Sequence, residues 1–267
     1  MKTFNWRDCY ASYVNLDHRT DRRDRMESEF ERVGLKEILK PERTRGMYFE
    51  EYKGDIAKVQ TMIDYMKGMV GCHYSQVKVM ETALEKGKSA FVMEDDLDFA
   101  TDTIKRLDYV QEFLNKNDWD VFWLGGTYHF NDPQWHNIGH RNPRLRDCNC
   151  TLGRDVEKTE DPRIVRTYGC WSTYSYIVNY EKLPKILKML EDNVHRSQAI
   201  DHLFIILQPE LKTYSFVPAM CKQYDSQSDI GSGVHHFSNF ASLGKYWFAD
   251  KMEDFDPNSL NWDLSRG

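Results

Sequence analysis

The sequence has no long apolar run. Its longest uninterrupted stretch, residues 203–207, falls far short of the roughly 20 residues that a membrane-spanning helix needs. It has no excess of positive charge either. Against 36 Lys and Arg stand 42 Asp and Glu, a net charge of -6, which argues against broad electrostatic binding to nucleic acid. The six cysteines (Cys9, Cys72, Cys148, Cys150, Cys170, Cys221) show no C-x-x-C pair, so a reduced protein with buried thiols is expected. There is no internal repeat and no low-complexity tract. Residues 1–8 are polar and charged, without the look of a secretory signal, and a cytoplasmic location is the expectation.

What is present suits a globular enzyme: 267 residues, 40% hydrophobic, 13% aromatic and 29% charged, enough for one domain over 1–267 with a sizeable core. Residues 9–16 read as a buried strand. Residues 21–33 read as a helix with Met26, Phe30 and Val33 on one face and Gly34 as its stop. Two further helices are predicted over 56–67 and 71–86. Then follow a strand at 89–93, a helix over 101–116, and a strand at 120–124 closed by Gly125 and Gly126. After a long interval come a strand at 173–178, helices over 180–191 and 199–208, and a last strand at 213–217. Strands alternating with helices predict an α/β fold, a Rossmann-like, mostly parallel sheet flanked by helices, with ligands gathering at the carboxyl ends of its strands. Residues 127–166 break the rhythm with His129, His136, His140 and six arginines. A stretch so long and aperiodic reads as an acceptor-side loop or lid. Residues 231–267 read as a C-terminal tail able to fold over a site.

The sharpest chemical signal is Glu94-Asp95-Asp96, directly after the strand at 89–93. An extended backbone sends Glu94 and Asp96 one way and Asp95 the other. Hard oxygen ligands of this kind suit Mg²⁺ or Mn²⁺ holding substrate phosphates, and a diphosphate leaving group needs its growing charge neutralised. Read alone, the triplet is equally a solvated acidic turn. A second signal is Asn15-Leu16-Asp17 at the end of the first strand, with Arg22 beyond it. Asn offers a donor and an acceptor to a base edge and arginine suits a diphosphate, although a charged first helical turn has the same composition. A third is the run from Gly68 through Gly71, His73 and Ser75, read as a glycine-flanked helix start open to an anion. Asp201, opening a short apolar helix, is a candidate general base or merely a cap. Asp229 is its rival. His236, in the tail, is a candidate to complete a metal shell, although adjacent histidines at a surface usually bind nothing.

In this order the segments resemble the glycosyltransferase family of bacterial lipooligosaccharide galactosyltransferases and collagen galactosyltransferases. The resemblance rests on YVNLDHRTDRRDRM, GMVGCHYSQVKVMETALEKGKSAFVMEDDLDF and WDVFWLGG, then YSYIVNYEKLPKIL, AIDHLF and SDI. It implies a GT-A-like fold, a UDP-sugar donor, a divalent cation (Mn²⁺ or Mg²⁺) and transfer with inversion. It carries Glu94, Asp95 and Asp96 into the acidic metal and donor motif and Asn15 into the donor pocket; Leu16, Asp17, Arg22, Gly71 and Ser75 join them as donor-side candidates. The chain departs from the family at Gln76, where a histidine is common, and at Met69, where an acid is. The literal D-x-D at Asp96 and Asp98 leaves the metal ligand open by one register. The acceptor is a hydroxyl on a glycan, a protein side chain or a modified nucleobase. Two other readings remain open at the level of sequence: a different metal-dependent enzyme acting on nucleotides or phosphates, and a glycan-binding homologue without catalysis.

Overall fold

The computed structural model describes residues 3–52, 64–127, 156–194, 199–230, 234–235 and 248–259. In chain order its first half comprises β1 (Tyr10–Asn15), α1 (Thr20–Arg32), α2 (Leu35–Ile38), β2 (Glu42–Arg45), α3 (Asp64–Glu85), β3 (Ala90–Met93), β4 (Leu97–Phe99) and α4 (Thr103–Lys116). There follow β5 (Val121–Thr127), β6 (Val156–Lys158), β7 (Ile164–Thr167) and β8 (Trp171–Val178). The last are α5 (Leu183–Asn193), α6 (Ile200–Leu207), β9 (Thr213–Phe216), β10 (Cys221–Gln223), β11 (Ser226–Gln227) and β12 (Val234–His235).

Eight strands form one sheet in the order β2-β1-β3-β8-β5-β9-β7-β6. Its central strands are apolar on both faces, and strict alternation sorts their side chains between two cores. Ala90 and Val92 of β3, with Val121 and Trp123 of β5, face α3, α5 and α6. Phe91 and Met93, with Phe122 and Leu124, face the other way, toward Met26 and Phe30 of α1 and Leu107 and Val110 of α4. Helices therefore cover both faces of the sheet. Gly34, in the left-handed region at φ 76°, ends α1 as its sequence predicts.

Three expectations need correction. The sheet is mixed, not mostly parallel: β1–β2, β1–β3 and β5–β9 pair parallel, while β8 runs against both β3 and β5, and β7 against both β9 and β6. Strands β6 and β7 are joined by a short turn, which leaves no room for the helical crossover that a parallel pair requires. The interval 127–166 is not aperiodic throughout. Its described end folds as β6 and β7 and extends the sheet edge beyond β9. Arg166 there is structural, donating to the carbonyl of Thr213 at 3.2 Å and to that of Leu211; residues 128–155 lie outside the described residues. Third, α3 runs unbroken from Asp64 past both glycines, so Gly68 and Gly71 do not open a helix, and residues 56–63 of the helix expected before it lie outside the described residues. In the tail, the described residues include the short β12, which pairs with β11, and residues 248–259.

Candidate functional site

A cleft of about 710 Å³ opens where β1, β2 and β3 end, walled on its other sides by α3, the start of α6 and the residues after β10. Strand ends gather here because the three parallel strands point the same way, so the chain leaving each one meets the others at a common edge. The acidic run lies between β3 and β4, where the backbone leaves the main sheet for the small β4–β10 ribbon. Two backbone bonds hold it: Glu94 N–H donates to the Tyr174 carbonyl at 2.8 Å, and Tyr224 N–H donates to the Asp96 carbonyl at 3.0 Å.

The side chains divide as an extended backbone requires. Asp95 turns inward, only 7% exposed, and accepts from Asn15 Nδ2 and from Arg22 Nη1, both at 2.7 Å. Glu94 and Asp96 turn the other way and share one partner. Gln223 Nε2 donates to Glu94 Oε2 at 3.0 Å and to Asp96 Oδ1 at 3.1 Å. Burial, then repulsion from Asp96, Asp95 and Asp201, pushes the Glu94 carboxyl up to about 8. Burial also raises Asp96, to about 6, with Arg22 pulling against it. Two acids converging on one point, both unsettled in their charged form, describe a place that favours a positive ion. Asp98 faces away, paired with Arg25, and does not line the cleft.

Of the remaining candidates, Leu16, Arg22, Gly71, Ser75, Asp201 and Asp229 line the cleft. Asn15 and Asp17 do not. Asn15, expected in the donor pocket, is 2% exposed and sits behind the wall. Its Nδ2 serves Asp95 and the Arg19 carbonyl, and its Oδ1 accepts from Arg43; no part of the amide is left for a base edge. Asp17 lies outside, held below the usual carboxylate range by Arg43 and Arg45. Arg22 is likewise engaged within the protein, its Nη2 donating to Ser226 Oγ at 2.7 Å and the Gln227 carbonyl at 2.8 Å. Ser75 Oγ donates to the Gly71 carbonyl at 2.6 Å and accepts from Met47 N–H at 2.7 Å, tying α3 to the loop after β2.

Asp201 is in the first turn of α6, whose N-cap is Ala199. It therefore does not cap the helix. Its Oδ1 accepts from the His202 amide at 2.8 Å. Asp229 is paired with Arg19 at 2.5 Å and with His18 at 3.3 Å. His236 lies outside the described residues, and among the described residues no group of three or more His, Cys, Asp or Glu is arranged to hold a metal. Trp171, which sequence reasoning passes over, also lines the cleft, as does Cys72, which the sequence reading counts only among the buried thiols. Burial and the neighbouring Glu94 hold the Cys72 thiol well above its ordinary range, which disfavours the thiolate that a nucleophile needs. Trp171 carries no local motif that would have marked it.

Fold and cleft define an α/β protein with an acid-rimmed cleft at the ends of the parallel strands β1, β2 and β3. The chain belongs to glycosyltransferase family 25 (LPS biosynthesis protein), whose family model matches residues 12–204. Membership supports a glycosyltransferase, with a sugar donor and an acceptor as substrates. A comparison with curated protein sequences found no match. Among the described residues no helix is long and apolar enough to cross a membrane.

Proposed function

We propose that the cleft binds a UDP-sugar together with Mn²⁺ or Mg²⁺ and transfers the sugar to an acceptor hydroxyl with inversion, on a GT-A-like scaffold. The observation that carries this reading is the charge of the cleft. Among the described residues six carboxylates line it (Glu50, Glu94, Asp95, Asp96, Asp201, Asp229) against two fixed cations, Lys67 and Arg22, and Arg22 is already engaged by Asp95. A diphosphate entering alone would be repelled. The donor set fits a hard divalent ion: Glu94 and Asp96 are close enough for one amide nitrogen, Gln223 Nε2, to reach an oxygen of each, and such ions commonly take one or two carboxylates and complete their shell with phosphate oxygens and water. Glu94 and Asp96 would hold it, and the ion supplies charge neutralisation of the departing diphosphate.

In the reaction the acceptor oxygen forms a bond to the anomeric carbon as the bond from that carbon to the diphosphate oxygen breaks, and UDP leaves. The acceptor proton goes to a carboxylate, for which Asp201 is the better placed. It lines the cleft near Glu94, whose charge it opposes, and no cation is paired with it among the described residues, whereas Asp229 is held by Arg19 and His18. A panel of nucleotide sugars with Mn²⁺ tests the reading. The expected result is release of free nucleotide from UDP-sugars, increased by an acceptor that becomes glycosylated. Turnover of the donor without any transfer, across a broad set of acceptors, would favour a phosphohydrolase instead.

A further inference from the structure

Gln76 is fully buried against the cleft, and its amide is engaged at both ends. Tyr176 on β8 donates its hydroxyl to Gln76 Oε1 at 2.9 Å. Tyr176 is itself fully buried, its ring against Trp123 and Phe204 with centroids 5.1 and 5.3 Å away, so the core fixes where that hydroxyl lies. With the carbonyl end of the amide pinned there, the amino end faces the cleft. It donates to Glu94 Oε1 at 3.1 Å, with Thr173 Oγ1 at 3.3 Å and Cys72 Sγ at 3.5 Å as further acceptors. Reversing the amide would set its carbonyl oxygen against the carboxylate, acceptor against acceptor. Gln223 reaches the other oxygen of the same carboxylate, Oε2. Glu94 is thus clamped between an amide from α3 and an amide from β10.

We propose that Gln76, aimed by Tyr176, is a positioning residue that fixes the direction in which Glu94 presents its carboxylate to a divalent cation. This rests on the reading that Glu94 and Asp96 hold that cation. The chemistry of the clamp is what the task requires. A neutral amide orients a carboxylate without cancelling its charge, whereas the guanidinium of Arg22 beside Asp95 supplies a competing positive charge. Glutamate also has a long side chain with considerable rotamer freedom. Left unclamped, it would have to be ordered by the ion, and affinity would fall. Through the two ends of the Gln76 amide, a residue of the core sets the geometry of the cleft.

The test uses the full chain and Mn²⁺ alone, with free Mn²⁺ followed by electron paramagnetic resonance. Gln76→Met keeps the length of the side chain and removes its donor; it should weaken Mn²⁺ binding on the order of tenfold. Tyr176→Phe removes one buried hydroxyl, leaves every cleft-lining atom in place, and should weaken binding by a smaller factor. A merely structural role would lower the thermal midpoint and leave affinity alone. In a Glu94→Gln background Gln76→Met should have no further effect on Mn²⁺, because the effect passes through Glu94. Wild-type affinity in both single variants overturns the proposal, as does an equal loss from Gln76→Met with and without Glu94. If Gln76→Met does not fold, Tyr176→Phe decides. A wild-type chain that binds no Mn²⁺ overturns the metal reading and this proposal with it, whereas binding that both variants leave unchanged overturns the positioning role alone.

Discussion

Neighbouring carboxylates in this chain have opposite surroundings. Asp95 is neutralised by Arg22 and hydrogen-bonded by Asn15, which makes it part of the scaffold. Asp96, one residue on, shares Gln223 with Glu94 and bears the strain of a nearby like charge. Asp98, two residues on, is satisfied by Arg25 outside the cleft. Asp96→Ala should therefore remove Mn²⁺ binding and nearly all transfer while leaving thermal stability equal or slightly higher, since the lost charge was buried at a cost. Asp98→Ala should leave turnover within a few-fold, losing only a partly exposed ion pair worth about 1 kcal/mol or less. Greater damage to turnover from Asp98→Ala would move the metal to the other register. The same logic separates the two candidate bases. Asp201→Asn should lower kcat on the order of a hundredfold or more with donor affinity largely kept, while Asp229→Asn should act mainly on the seating of residues 226–230 over α1. Steady-state kinetics in which Asp229→Asn alone abolishes turnover would reverse the assignment.

The elements show why some of this was legible beforehand and some was not. Helix α3 passes Gly68 and Gly71 because neighbours occupy the space of a side chain: a Cβ at Gly71 would lie 2.5 Å from the Met47 carbonyl oxygen, and one at Gly68 would lie 2.7 Å from Ile230 Cα. In an open helix, glycine to alanine stabilises by roughly 1 kcal/mol. Gly71→Ala should do the reverse, destabilising by about 1–3 kcal/mol through overpacking, and denaturant unfolding showing a stabilised variant would contradict the close approach. Nothing local in the sequence distinguishes a glycine that ends a helix from one that admits a neighbour, which is why α3 reads as two pieces. Strands β1, β3, β5, β8 and β9 were legible because they are buried and apolar. The strand β2 (Glu42–Arg45) was not: on the edge of the sheet, only Thr44 in it is buried, and a charged edge strand has no hydrophobic pattern to read. Pairing direction depends on what lies between strands in space, so the reversed β8 could not be seen either. For the acids, alternation at the end of β3 was enough to separate Asp95 from Glu94 and Asp96. The burial of Asn15 and the engagement of Arg22 depend on residues distant in sequence, such as Arg43 and Ser226, and had no local signature.

For the whole molecule, stability and ligand binding are tied through the same two acids. Glu94 and Asp96 bind their protons more tightly in the folded chain, at about 8 and about 6, than in the unfolded one. Their contribution to stability is thus fully present below about pH 4 and is lost as pH rises through those values. Without a cation, the thermal midpoint should fall as pH is raised from about 5 to 8, and Mn²⁺ should restore most of the loss by binding the folded state. Thermal scans in EDTA and in Mn²⁺ that fall in parallel would argue against a cation at this site. The central claim is that an acid-lined cleft whose one arginine among the described residues, Arg22, is already engaged accepts its donor only together with a divalent ion. Titration calorimetry of the UDP-sugar selected by the nucleotide-sugar panel, performed once in Mn²⁺ and once in excess EDTA, tests it most directly. The prediction is saturable binding in Mn²⁺ that weakens at least tenfold, about 1.4 kcal/mol, or vanishes in EDTA. Equal affinity under both conditions would contradict it.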